Sequence, residues 1–245
     1  MTERSKWKAA ILAAFLFIFG INVTSVYASL NVSPVRVNLS DAHTKDVIRI
    51  TNQEDSVKSY QVEIVAWSQT DERREVYTPT EEILAVPPLF TLNPGEEQLI
   101  RVGMLTDADS KTERAYRMFI TELAPPDAEK PEVSGITMRL QIGIPVFVAP
   151  PEAPTSGLKY IETLQVDNQL FAQFRNVGNT HIKVTEVHYL APGSTDKVVT
   201  PAVVYVLAGQ TAYLPVKLPG GDQIGTVSIV TENQGTMEYE LPFAP

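Results

Sequence analysis

Two arginines stand where arginine is uncommon, inside apolar runs: Arg36 between Val35 and Val37, and Arg117 between Tyr116 and Met118. On an extended chain the faces alternate, so Arg36 shares its side with Pro34 and Asn38, and Arg117 with Ala115 and Phe119. A guanidinium so placed does one of two things. It lays its methylenes on apolar surface and keeps its head in water, or it joins a second fork in a cleft to hold a carboxylate by charge-assisted hydrogen bonds. The other titratable groups offer less. His43 lies in the polar turn SDAHTKD, and His181 and His188 are seven apart, which on a regular strand puts them on opposite faces. No ligand cluster with zinc-like spacing accompanies them. Glu81-Glu82 and Glu96-Glu97 fall in turns or at strand starts, and Gly103 and Gly220-Gly221-Asp222 lack the strand, glycine loop and helix of a phosphate cradle. With no nucleophile beside a base, the residues point to a protein that is not an enzyme and uses neither metal nor cofactor.

The elements that must position these arginines are strands. The runs LNVSPVRVNL, DVIRITN, VKSYQVEIVAWSQ, RAYRMFITEL and ITMRLQIGIPVFV are separated by Asn-Gln-Glu-Asp, Asn-Pro-Gly and Pro-Pro punctuation, the pattern of an antiparallel sandwich. In SYQVEIVAW, Tyr60, Val62, Ile64 and Ala66 share one face, while Val65 and Trp67 show that the opposite face is not purely polar. The segment Ala149 to Gly157, APPEAPTSG, carries Pro150, Pro151 and Pro154 and reads as a stiff connector. Shorter strand-like runs follow it, enough for a second sandwich of the usual size near 100 residues.

The thirteen residues from Ile136 to Val148 pose the sharpest question. Apolar side chains occupy every second position, yet Gly143 and Pro145 belong near sheet edges, and a long apolar edge strand is an aggregation hazard unless something pairs with it.

The chain opens with Arg4, Lys6 and Lys8 ahead of an apolar run from Ala9 to Phe19 and a Val26-Tyr27-Ala28 ending, the three-part layout of a secretory signal cleaved after Ala28. Loss of those three bases and one acid, Glu3, takes the formal charge from −9 to −11. So acidic a chain is a poor binder of nucleic acid. It has no cysteine, so packed cores alone must hold it.

Taken together, SLNVSPVRVNL, VPPLFTLNPGEEQLIRV (Val86 to Val102), RAYRMFITELAPP (Arg114 to Pro126) and ITMRLQIGIPVFVAPP resemble the periplasmic chaperones of the chaperone-usher pathway. The resemblance runs from about residue 29 to the end and is weaker in the second half, in FRNVGNTHIKVTEV and VLAGQTAYLPV. It implies an all-β protein of two immunoglobulin-like β-sandwich domains arranged as a boomerang with an interdomain cleft. The domains would be 29–149 and 150–245, after a signal at 1–28. It also implies a periplasmic location and donor-strand complementation, in which pilus subunits with an incomplete immunoglobulin-like fold borrow the chaperone's strand before delivery to an outer-membrane usher, with no nucleotide. Carried over residue by residue, Ile136, Met138, Leu140 and Ile142 are the donated side chains, and Arg36 anchors the subunit's terminal carboxylate. Pro145 stands where the family often has an anchoring lysine, which leaves Arg117 as the candidate second anchor. Ala149 stands where many relatives carry an arginine that bridges the domains. These departures, the missing cysteines and the short PDAEKPEVSG loop are more similar to the archaic branch of the family. Two other classes fit the same sandwiches: an adhesive surface module, which gives no reason for the long apolar strand, and a secreted hydrolase, which lacks its nucleophile.

Overall fold

The computed structural model describes residues 30–70, 74–108, 110–124, 139–167, 169–218 and 225–241, and among them the regular structure is all strand. The first sandwich contains β1 (Leu30–Ser33), β2 (Val37–Leu39), β3 (Lys45–Asn52), β4 (Lys58–Gln69), β5 (Glu75–Pro79), β6 (Ile83–Val86), β7 (Leu89–Leu92), β8 (Glu97–Met104), β9 (Arg114–Glu122) and β10 (Gln141–Val148). One of its sheets runs β1-β3-β8-β6; the other runs β2-β10-β9-β4-β5, with β7 also on β4. The second sandwich contains β11 (Leu158–Val166), β12 (Gln169–Asn176), β13 (Ile182–Leu190), β14 (Lys197–Val206), β15 (Thr211–Val216), β16 (Gly225–Thr231) and β17 (Thr236–Leu241). Its sheets run β11-β12-β15 and β14-β13-β16-β17.

Period-two patterning explains the layers. Ile48 and Ile50 of β3, Tyr60 and Val62 of β4, Ile100 and Val102 of β8, Met118 and Ile120 of β9, and Ile144 and Val146 of β10 interdigitate in one core. Burying each such side chain contributes roughly 1.5–3 kcal/mol. The expectation for β4 holds: Tyr60 and Val62 are buried in this core, with Ile64 and Ala66 packed against it. The opposite face is apolar at Val65 and Trp67 because it too is covered, Trp67 by the second sandwich.

Two asparagines tie loops to these layers. Asn52 closes β3 and is fully buried; its Nδ2 donates to Ser56 O at 2.8 Å and to Leu92 O and Asn93 O at 3.2 Å, and its Oδ1 accepts from Glu54 N at 3.0 Å. Asn176 closes β12 in the same way, donating to Thr180 O at 2.7 Å and Val206 O at 2.9 Å and accepting from Gly178 N at 2.9 Å. In sequence Asn52 looks like turn punctuation, yet it and Asn176 are both interior brackets. Each stranded buried partner costs roughly 1–3 kcal/mol. Asn176→Leu should therefore lower unfolding free energy by about 2–4 kcal/mol by leaving buried carbonyls without donors, read from the urea midpoint.

Candidate functional site

The edge of β10 is open where the apolar pattern leaves the core. On one side β10 pairs antiparallel with β9 along its whole length, from Gln141↔Thr121 to Val148↔Arg114. On the other side β2 covers only Val146, Phe147 and Val148, in parallel register with Val37, Asn38 and Leu39. Among the described residues, Gln141 to Pro145 thus have no strand partner on that edge. Ile144, Val146 and Val148 are buried in the core, whereas Ile142 and Leu140 are half-buried against its rim. The ladder to β9 continues past the strand's end, Glu122 N donating to Leu140 O at 2.9 Å. Of the four side chains expected on this strand, Leu140 and Ile142 are placed; Ile136 and Met138 lie outside the described residues.

The other face of β10 meets the second sandwich. Phe147 is buried with Trp67 and Leu207, and it stacks on His181 with ring centroids 3.7 Å apart. Gln69 of β4 completes the contact, its Nε2 donating to Tyr205 O at 2.7 Å and its Oε1 accepting from Leu207 N at 3.0 Å. Glu113, just before β9, donates its N–H to Asn179 O at 2.8 Å, and its carboxylate accepts from His181 N at 2.8 Å. These bonds join the domains where Ala149 offers no arginine. On the β5 side they leave an open recess of about 450 Å³, lined by Gln69, Thr70 and Glu75 and, across from them, Phe171, Val204 and Tyr213.

Arg36, Pro145 and Arg117 fall in one cross-strand row. Pro145 pairs with Arg117, and Arg36 and Pro145 each precede the paired residues Val37 and Val146. The two guanidiniums take different carboxylates. Arg36 reaches out of the first sandwich to Glu232, at the end of β16, and Glu232 also accepts from Lys183 Nζ at 2.6 Å. Arg117 lies over Trp67, its Cζ 3.9 Å from the ring centroid, with Glu75 Oε2 at 3.6 Å. Gly143 makes this possible: a Cβ there would come within 3.2 Å of Arg117 Cδ and of the Phe119 ring. Lys183 and Glu232 escaped the sequence reading, although Lys183, a charge between Ile182 and Val184, bears the same local mark as the two arginines. Nothing local marks Glu232, and their positions beside Tyr205 and Thr231 exist only once β13 has paired with β14 and β16.

The expected placing of the histidines is corrected in one respect. The alternation of β13 shifts at Thr185, where its pairing with both neighbours has a bulge, so Lys183 and His188 both lie off the core face occupied by Ile182, Val184, Val187 and Tyr189. His181 belongs to the domain contact, and His188 Nε2 pairs with Glu186 at 2.7 Å. Among the described residues no group of three or more His, Asp or Glu side chains is arranged to hold a metal.

The family model for the pili and flagellar-assembly chaperone, PapD N-terminal domain, matches residues 29–154, just over half of the 245-residue chain. The chain belongs to this family. A search of curated proteins finds no match. Among solved structures, the fold is similar to that in the CsuC–CsuE chaperone–tip adhesion subunit pre-assembly complex from the archaic Csu pili of Acinetobacter baumannii. The TM-score there is 0.63 at 16% identity, covering 89% of this chain and 100% of that one. It is also similar to the Salmonella enterica SafB chaperone with SafA pilin, TM-score 0.58 at 16% identity over 88% and 97% of the two chains. The E. coli chaperone DraB gives a TM-score of 0.55 at 18% identity over 86% and 96%. At these identities the likeness is one of fold: two immunoglobulin-like sandwiches with a cleft between them.

Within this family member the interdomain ion pair has a defined pH range. Lys183 and then Arg36, by direct hydrogen bonds, hold the Glu232 carboxyl down at about 2, well below its ordinary value. A depressed carboxylate contributes its stability fully above the ordinary carboxylate range and loses it as pH falls through the folded value. The Tm gap between wild type and Glu232→Gln should thus be constant from pH 7 to about 5, narrow progressively below that, and close only as pH falls past about 2, as checked by thermal melts across that range.

Proposed function

We propose that this protein is a periplasmic chaperone that binds pilus subunits with an incomplete immunoglobulin-like fold by donor-strand complementation and delivers them to an outer-membrane usher without a nucleotide. The observation that carries this reading is the open edge of β10 at Gln141 to Pro145, which adjoins an apolar face running from the buried Ile144 out to the half-buried Ile142 and Leu140. A neighbouring chain can add its backbone to that edge and bury those side chains, with main-chain bonds for affinity and alternate pockets for selectivity. Each bond contributes about 0.5–1.5 kcal/mol net, and each fully buried Ile, Leu or Met roughly 1.5–3 kcal/mol. A segment that includes Ile136, Met138, Leu140 and Ile142 therefore supplies a gross attraction large enough to survive the cost of association. The unfinished subunit is itself the source of the driving force.

Register needs a separate device, because a one-residue slip turns every apolar side chain to the wrong face. Arg36 is proposed to fix it by anchoring the subunit's terminal carboxylate, with Arg117 in the same row as a second positive charge. The domain limits 29–149 and 150–245, and a signal removed after Ala28, complete the proposal.

Co-expression with candidate subunits of the same pilus system, followed by affinity recovery of the chaperone and mass spectrometry, tests it. Wild type should bring down a subunit. Arg36→Ala should recover less than a tenth as much while its circular dichroism stays that of a folded protein, and Leu140→Glu should lower the yield several-fold. Full recovery with Leu140→Glu would count against strand donation, and full recovery with Arg36→Ala against the anchor.

A further inference from the structure

Arg36 and Lys183 come from different sandwiches yet bind the two oxygens of one carboxylate. Arg36 Nη1 takes Glu232 Oε2, and Lys183 Nζ takes Oε1 at 2.6 Å. The cluster is open to solvent, with side chains 29%, 23% and 31% exposed for Arg36, Lys183 and Glu232. Two cations and one carboxylate leave one positive charge uncompensated. A guanidinium has five donor hydrogens and an ammonium three, so neither cation is exhausted by Glu232. Tyr205 forms a wall beside them: Lys183 Nζ lies 5.9 Å from its ring centroid, and Arg36 interacts with the same residue. Glu232 itself follows β16 in the short connection to β17, where its carboxylate can swing to water. Displacing it by another carboxylate exchanges one charge-assisted contact for a like one, so neither cation is left unpaired.

We propose that Glu232 is an internal stand-in for a peptide's C-terminal carboxylate, held between Arg36 and Lys183 until an incoming chain terminus displaces it. Lys183 is then a carboxylate-binding residue supplied by the second sandwich. This rests on the chaperone reading above and adds to it a cation and a competitor that belong to the other domain. While the cleft is free, Glu232 keeps both cations aimed at one point and screens them from stray anions. Only a ligand that brings its own carboxylate to that point gains their donors, so the site discriminates a terminus from a mid-chain segment.

The test uses the mature full chain as wild type, Lys183→Gln, Lys183→Arg and Glu232→Gln, each checked by circular dichroism. The probes are an N-acetylated heptapeptide of alternating valine and threonine with a free C-terminal carboxylate, and the same peptide as its carboxamide. Binding is followed by ¹⁵N–¹H NMR of the uniformly ¹⁵N-labelled proteins. The carboxylate peptide should bind Glu232→Gln at least fivefold more tightly than wild type and Lys183→Gln at least tenfold more weakly, with Lys183→Arg restoring most of the loss. The carboxamide should bind all four proteins alike. Equal binding of the carboxylate peptide to wild type, Lys183→Gln and Glu232→Gln, or a carboxamide that tracks the substitutions, overturns the proposal. If subunits co-purify but the peptides show no discrimination, the stand-in alone falls. If the peptides discriminate and no subunit co-purifies, the carboxylate site stands and the chaperone reading falls.

Discussion

Phe147 is pressed between Trp67 of its own sandwich and Leu207 and His181 of the other, and almost everything distinctive in the molecule follows from that contact. Its strand has two faces and cannot give both to one core. Ile144, Val146 and Val148 go inward and fill the first sandwich, so Phe147 must go outward, and an exposed phenylalanine there would be a costly patch. The second sandwich covers it. The strand that closes one core thereby also sets where the second domain sits. The hydrogen bonds of Gln69 and Glu113 then fix the rotation about that contact with directional bonds that apolar packing alone lacks.

What was legible in the fold was written in local alternation. Tyr60 and Val62, or Met118 and Ile120, declare their side of the sheet through spacing alone, and the proline-rich connector at Ala149 to Gly157 separates the two sets of strands. The apolar back face of β4, Val65 and Trp67, was visible as an anomaly, and for Trp67 domain contact is its explanation. Arg36 and Arg117 could be singled out because charge inside an apolar run is conspicuous. Their partners could not. Glu232 is an ordinary charged residue in polar surroundings, and although Lys183 lies between Ile182 and Val184 as the arginines lie in their apolar runs, only the pairing of distant strands brings the two to Arg36. The bulge at Thr185 was also hidden, since a strand that skips one step looks locally like one that does not. Asn52 misled for a related reason, because turn-forming and loop-bracketing asparagines have the same local sequence signature.

The cleft shows how charge is managed in an acidic protein. Each cation near the domain contact has a named partner: Arg36 and Lys183 share Glu232, and Arg117 has Glu75 and the Trp67 ring. Positive charge is thus localised against a negative background and not smeared over the surface, which favours recognition of a single anionic group over general attraction to polyanions.

Mechanically, β10 is a cantilever. From Val146 to Val148 it is clamped on both edges, by β9 and β2, and on both faces, by the core and by the second sandwich. From Gln141 to Pro145 it is held along one edge only. A load applied toward Gln141 is therefore carried through the β9 ladder to the root, where both edges and both faces are held. A bound chain could then be peeled residue by residue from the projecting end, the beam flexing without its mounting loosening.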